Sequence, residues 1–153
     1  MATAAGAKAK KASDMAHGTV LTALKFISDD KLDWVPMGKA KTPRAIALEC
    51  AGAYAWTAAI IRSEVGPEAW LALEGKDYPT RAALVQVLNE QYAILVAALE
   101  AATEEQLGGK RQAFWGEATV AELLDIGGWH STWHAGQLNY IQTLLGDEES
   151  HWE

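Results

Sequence analysis

Cysteine is nearly absent from this chain, since Cys50 is the single example among 153 residues. An internal disulfide framework is therefore excluded, and a reducing, cytoplasmic setting is favoured. Basic residues are also scarce: 13 lysines and arginines stand against 20 acidic residues, and the net charge is −7. General nucleic-acid binding needs clustered lysine and arginine, so we expect no nucleic-acid partner.

Long apolar runs are missing as well. No segment reaches the ~20 consecutive apolar residues that span a membrane, so we expect no membrane partner. The opening stretch MATAAGAKAKKA lacks the leucine-rich segment of a signal peptide. We predict a disordered tail over residues 1–12 and a single domain over residues 13–153, which is long enough to bury a core.

Apolar residues at helical spacing, by contrast, are abundant and mark four long segments. Their predicted starts are Ser13, Thr42, the YPTR sequence at 78–81, and the capping box of Thr119 and Glu122. Strand-like alternation of apolar and polar residues is missing. The sequence predicts an all-α four-helix bundle with long inter-helix connections of roughly 13–17 residues, where simple helical hairpins need about 2–8. Such connections permit helices two and three to run parallel.

Histidine is rare too, and two of the four histidines stand close together in GGWHSTWHAGQLNY, residues 127–140. On a helix, His130, His134 and Gln137 share one face. Two imidazoles in an apolar setting need partners, because an unpaired buried polar group costs several kcal/mol. A metal ion is one candidate partner, and backbone groups or water are the other. The HSTWH sequence lacks the glutamate of the HExxH motif, which excludes that metalloprotease class.

Helix two offers a third ligand. Glu49 lies on its apolar side, and glutamate is almost never fully buried unless it is paired. Cys50, rotated by about 100° around the helix, is the competing ligand. An ion pair of Glu49 with Arg44 or Arg62 is the alternative without metal. The glycines at 127–128 are unfavourable inside a helix, which indicates either a close approach of helix two or a helix break.

The last helix, HSTWHAGQLNYIQTLLG, resembles the HxxxH-x-GQ signature of the DinB/YfiT-like superfamily, four-helix bundles with the character of metalloenzymes. Three further stretches resemble the family's first helix and loop, its second helix, and the entry to its last helix. They are ALKFISDDKLDWVP, TPRAIALECAGAYAW and FWGEATVAELL. The resemblance covers nearly all of the chain after the predicted tail.

This resemblance implies a site for a divalent metal ion such as zinc, nickel, manganese or iron. Family members usually bind the metal through three histidines, of which the last two fall on His130 and His134. The helix-two histidine falls on Glu49, a departure that is compatible with a two-histidine, one-carboxylate site or with loss or changed use of the metal. Ala135 stands where the family often has arginine.

A function is implied as well, because relatives include thiol S-transferases and a thiol-dependent maleylpyruvate isomerase. The metal would activate a low-molecular-weight thiol toward an electrophilic small molecule. Gln137 and Tyr140 would orient ligands, and Trp56, Trp129 and Trp133 would wall the pocket. The alternatives are a non-catalytic bundle that binds a metal or small ligand, and a structural dimer without metal.

Tryptophan is unusually frequent. Seven tryptophans in 153 residues exceed what one small core needs, and aromatic side chains favour interfaces. DinB-like proteins also commonly pair. We therefore expect a homodimer that forms through apolar helix faces.

Overall fold

The computed structural model describes residues 2–63, 73 and 76–151. Its elements are, in chain order, α1 (Ala4–Lys25), a 3-10 helix (Asp29–Lys31), α2 (Pro43–Arg62), α3 (Arg81–Ala101), α4 (Glu104–Gly108), β1 (Lys110–Ala113), β2 (Gly116–Thr119), α5 (Val120–Leu123) and α6 (Ile126–Leu144). The four long helices α1, α2, α3 and α6 pack around one apolar core. The predicted all-α four-helix bundle is therefore confirmed. Thr42 and Thr80 begin α2 and α3 by accepting a backbone hydrogen bond at the N-cap.

The N-terminal segment corrects the sequence prediction of a disordered tail over residues 1–12, because α1 already begins at Ala4. The side chain of Thr3 caps this helix by accepting a hydrogen bond from the backbone N–H of Gly6. A Cβ atom on Gly6 would lie only 2.5 Å from the carbonyl oxygen of Leu99. Alanine is the strongest helix former. The alanines and this close contact with α3 together stabilise the start of α1, although the segment has no stripe of large apolar side chains.

Contacts along the helix pairs show their directions. Gly128 near the start of α6 packs against Ser13 in the middle of α1. Gln142 near the end of α6 donates a hydrogen bond to the carbonyl of Ala23 near the end of α1. The helices α1 and α6 are therefore parallel neighbours.

The pair α2 and α3 is parallel too. Arg44 at the start of α2 donates to the carbonyl of Tyr78 just before α3, whereas Arg62 at the end of α2 donates to the carbonyl of Ile94 in the second half of α3. Parallel consecutive helices need a crossover connection. The arrangement that the long connections permitted is the one the structure adopts.

A short hairpin departs from the expectation that strands are absent. β1 and β2 pair antiparallel, with Lys110 opposite Thr119 and Ala113 opposite Gly116. Each strand has only four residues, too few for a periodic pattern to be recognised in the sequence. Thr119 ends the hairpin and caps α5, so the predicted fourth helix is divided into α5 and α6.

Helix α3 is long and apolar. By length and composition alone, it is the one helix among the described residues that could cross a membrane, although no apolar run of that length was expected from the sequence. In the bundle, one face of α3 is buried in the core through Leu84, Leu88, Leu95 and Leu99. A core helix of a bundle passes the same test of length and composition, so the test alone is weak evidence for a membrane span.

Candidate metal centre

Helix α6 presents two imidazoles toward the interior of the bundle. His130 and His134 are one helical turn apart, and their ring centroids lie 4.4 Å from each other at an interplanar angle of 70°. His134 is buried and His130 is half-buried. The i, i+4 spacing therefore brings both rings to one point, as the sequence pattern predicted.

Glu49 on α2 reaches the same point. Its Oε2 lies 3.1 Å from Nε2 of His134, and one ligand atom each of Glu49, His130 and His134 lies within 4.8 Å of the other two. A tetrahedral ion with ligands at about 2.0–2.2 Å spaces them at roughly 3.4 Å, so side-chain shifts of about 1 Å would close the site. The three predicted ligands are thus brought together, and their metal binding stays a prediction.

The hydrogen bond behind His134 orients it for coordination. Its Nδ1 lies 2.6 Å from Oε1 of Gln137, and with that oxygen as acceptor Nδ1 carries a proton. Nε2 faces the carboxylate of Glu49 at 3.1 Å and donates a hydrogen bond to it. A metal ion would take the place of that proton, and metal-binding histidines usually donate their second N–H as Nδ1 does here. The donor set fits a divalent ion.

Charge states at the centre also suit a metal. Burial opposes the ionisation of Glu49, but hydrogen bonds from His134 and Lys41 outweigh it and lower the pKa to about 2. Burial, helped by the charge of His134, lowers the pKa of His130 to about 4. At neutral pH Glu49 is therefore an anion and His130 is neutral, which are the forms that bind metal.

Cys50, the competing ligand, does not join the cluster. Its side chain is fully buried, and burial raises the pKa of the thiol to about 12. The thiolate is the form that ligates metals and attacks electrophiles, so a protonated, enclosed thiol does neither. Cys50 packs in the core instead.

A cavity of about 480 Å³ lies beside the cluster, with Lys41 and Gln137 among its lining residues. Trp133 and Tyr140 also line it, and their role in ligand binding stays a prediction. Trp129 is 61% exposed and packs on Trp133.

Trp56 corrects the sequence interpretation, because it does not line this cavity. It is buried and stacks on Phe114 with 5.5 Å between the ring centroids. Trp56 lies seven residues after Glu49, which places it about 10 Å further along α2. Sharing a helix face with a ligand does not bring a residue to the same depth in the bundle.

Comparison with known proteins identifies the family of this chain. The sequence profile of the DinB superfamily matches residues 14–138. The chain belongs to the DinB superfamily. A search of curated proteins finds no significant match.

Among solved structures, the DinB-like protein YjoA from Bacillus subtilis is similar in fold, with a TM-score of 0.73 and 19% sequence identity. The match covers 93% of this DinB chain and 94% of that one, so the two proteins share their fold over nearly the full length. The superfamily is metal-associated, and the potential His/Glu site described above lies within the matched residues.

One residue beside the candidate centre of this DinB chain was not predicted from the sequence. Lys41 donates to Oε2 of Glu49, although its place just before α2 carries no periodic signal. The arginines considered as partners of Glu49 are engaged elsewhere: Arg44 pairs with Asp33 at 2.8 Å, and Arg62 bonds the carbonyl of Ile94. A lysine in a loop reaches its partner through the tertiary fold, which sequence spacing does not reveal.

Proposed function

We propose that this DinB protein holds a divalent metal ion through Glu49, His130 and His134 and transfers a low-molecular-weight thiol to an electrophilic small molecule. The convergence of the three ligand atoms beside a cavity is the observation that carries the proposal. Three protein ligands leave an exchangeable position on the metal, as in catalytic sites. When bound, the metal would stabilise a thiolate over a thiol.

The chain's own residues would position the reactants. Gln137 holds His134 in one orientation through Nδ1, and Trp133 and Tyr140 border the cavity in which an apolar electrophile would lie. The thiol proton passes to solvent, the sulfur bonds to the electrophilic carbon, and the leaving group departs with the electron pair of its bond. Excluding water from this pocket strengthens the attraction between the positive centre and the thiolate.

A second candidate function, a metal-free structural bundle, is supported by the ion pair of Glu49 with Lys41. In that case the carboxylate is neutralised by Lys41 and His134 without an ion. Elemental analysis of protein purified without a histidine tag separates the two candidates. A divalent ion near one per chain supports the metal centre, and its absence together with no zinc uptake on titration supports the structural bundle.

The activity is tested with metal-loaded protein, a panel of small thiols and a chromogenic aryl chloride, from which thiol attack releases chloride. His134→Ala removes a ligand, whereas His151→Ala removes a histidine that pairs with Asp147 outside the centre and serves as the matched control. We expect turnover in the wild type and in His151→Ala, and loss of it in His134→Ala. Equal rates in all three proteins would exclude metal-activated transfer, and tight metal binding without turnover would indicate a binding protein.

A further inference from the structure

Lys41 connects the candidate metal centre to the cavity. Its Nζ donates to Oε2 of Glu49, and the same oxygen lies 3.1 Å from Nε2 of His134. The side chain of Lys41 is 48% exposed, and it lines the cavity of about 480 Å³. One carboxylate oxygen thus has a cation on its cavity side and an imidazole on its other side.

A metal ion would compete with Lys41 for this oxygen. A divalent ion that coordinates Glu49 withdraws the electron density that Lys41 binds, and its own charge repels the ammonium group. Lys41 would then lose its partner while its backbone, next to the N-cap of α2, stays in place. The ammonium group would then lie at the wall of the cavity and be able to bind another anion.

Most of the cavity wall is apolar. Among the described residues that line it, Lys41 alone carries a charge and Gln137 adds an amide, whereas Ile46, Trp133, Tyr140 and Ile141 present mainly apolar or aromatic side chains. A ligand that satisfies such a wall has an apolar body and one anionic group. The volume lies within the range of small-molecule sites, and the flat rings of Trp133 and Tyr140 favour an aromatic body.

We propose that Lys41 is an anion-recognising residue and that the cavity binds an aromatic carboxylate, with metal binding to Glu49 releasing Lys41 for this contact. The proposal rests on metal binding, the first part of the proposed function, and is independent of thiol transfer. Applied to that reaction, the proposal predicts an electrophile that carries a carboxylate. Metal and carboxylate then bind cooperatively, because the metal frees the lysine that the carboxylate needs.

The experiment compares 2-naphthoate with the uncharged 2-naphthamide by tryptophan fluorescence and calorimetry, with and without zinc. With zinc, we expect the wild type to bind naphthoate about tenfold more tightly than the amide, as a hydrogen-bonded charge pair allows. Without zinc, the preference falls to about twofold or less. Lys41→Met removes the zinc-dependent preference and Lys41→Arg restores it, while Lys39→Met, an exposed lysine two residues away, leaves it intact.

A second readout follows from the competition for Glu49. Lys41→Met should bind zinc about two- to fivefold more tightly than the wild type, since an ion pair of this exposure is modest. A zinc-loaded Lys41→Met protein that keeps the naphthoate preference would show that the metal itself holds the carboxylate, and would overturn the proposal. Weaker zinc binding in Lys41→Met, or no zinc binding in the wild type, would overturn it too. Naphthoate preference without any thiol turnover supports the role of Lys41 while the transferase proposal fails.

Discussion

At the scale of single residues, the charge of Glu49 determines how strongly the candidate centre would bind a cation. Its carboxylate stays ionised because His134 and Lys41 donate to it despite its partial burial. Replacement of one histidine of a three-histidine set by an anion lowers the net charge of a loaded site by one unit. The metal is then held more firmly but is a weaker Lewis acid.

We predict that Glu49→Gln lowers zinc affinity by at least about tenfold, since a neutral amide is a poor zinc ligand and even indirect partners of metal ligands are worth 10–100-fold. Glu49→His, which introduces the family's usual ligand, should keep zinc binding. Competition with a chromogenic chelator measures both. Unchanged affinity in Glu49→Gln would remove Glu49 from the ligand set.

His17 is a second residue whose ionisation has a measurable effect. It is buried between Tyr54 and Tyr92, and its Nε2 lies 2.9 Å from Oδ1 of Asn89. Burial lowers its pKa, although the hydrogen bond with Asn89 and the charge of Asp14 act in the opposite direction. The neutral ring is therefore the form that the folded protein favours.

The resulting pH dependence has a definite sign. Unfolded chains protonate histidine near pH 6.5, whereas folded His17 takes up its proton at lower pH. Below about pH 6.5 the unfolded state binds more protons, so the free energy of unfolding falls as pH drops from there toward the folded pKa. We expect the free energy of unfolding, measured with urea between pH 5 and 7, to depend less steeply on pH in His17→Phe than in the wild type. The phenyl ring of this variant keeps the aromatic stack. An unchanged slope would assign the effect to other groups, such as His130.

At the scale of elements, the adjacent glycines at the start of α6 explain how the helix fits among its neighbours. A Cβ atom on Gly127 would lie 3.3 Å from side-chain atoms of Thr57 and Tyr54, so Gly127 allows the close approach of α2. Gly128 faces α1 instead, where a Cβ atom would lie 3.0–3.3 Å from atoms of Ser13. The helix continues through both residues, which excludes the helix break that the sequence also allowed.

We predict that Gly128→Ala destabilises the protein by about 1–2 kcal/mol. The added methyl group meets backbone atoms of Ser13 as well as its hydroxyl, so α1 and α6 must separate, and this overpacking cost exceeds the gain in helix propensity of about 1 kcal/mol. Gly18→Ala on α1 is the control, since nothing lies within 4 Å of its added Cβ, and should stabilise by up to about 1 kcal/mol. Urea denaturation measures both, and equal changes would contradict close packing at Gly128.

At the scale of the whole molecule, the surface carries several large aromatic side chains. Trp129, Trp133 and Tyr140 on α6, and Phe114 and Trp115 at the tip of the hairpin, are each more than 60% exposed. The three on α6 recur along one side of the helix. Exposed aromatic clusters of this kind are typical of surfaces that bind a partner.

We predict a homodimer in solution that buries the aromatic side of α6. Sedimentation equilibrium at micromolar concentration should give twice the chain mass of 16.5 kDa. Trp129→Glu places a charge in the interface and should yield monomers, whereas Met15→Glu, at an exposed position on α1, should leave the dimer intact. A wild type that sediments as a monomer would contradict the prediction.

Much of the fold and of the candidate site could be predicted from local patterns. Threonine caps and apolar periodicity located α2 and α3 closely, because capping and amphipathicity act within a few residues along the chain. The i, i+4 histidines and the glutamate on the apolar side of α2 identified the cluster that the structure brings together. These features were accessible because one helix turn determines which side chains share a face.

Tertiary structure decided the rest. Residues 4–12 are helical because Gly6 lets α1 touch α3, and Trp56 lies away from the cavity because it is two turns beyond Glu49. Lys41 meets Glu49 only because the loop before α2 folds back toward α6. In each case the position depends on a contact between separate parts of the chain, or on the height along the bundle axis. Residue spacing within one helix predicts neither. Helical periodicity specifies a direction around one axis, and only packing of the helices specifies which residues meet across it.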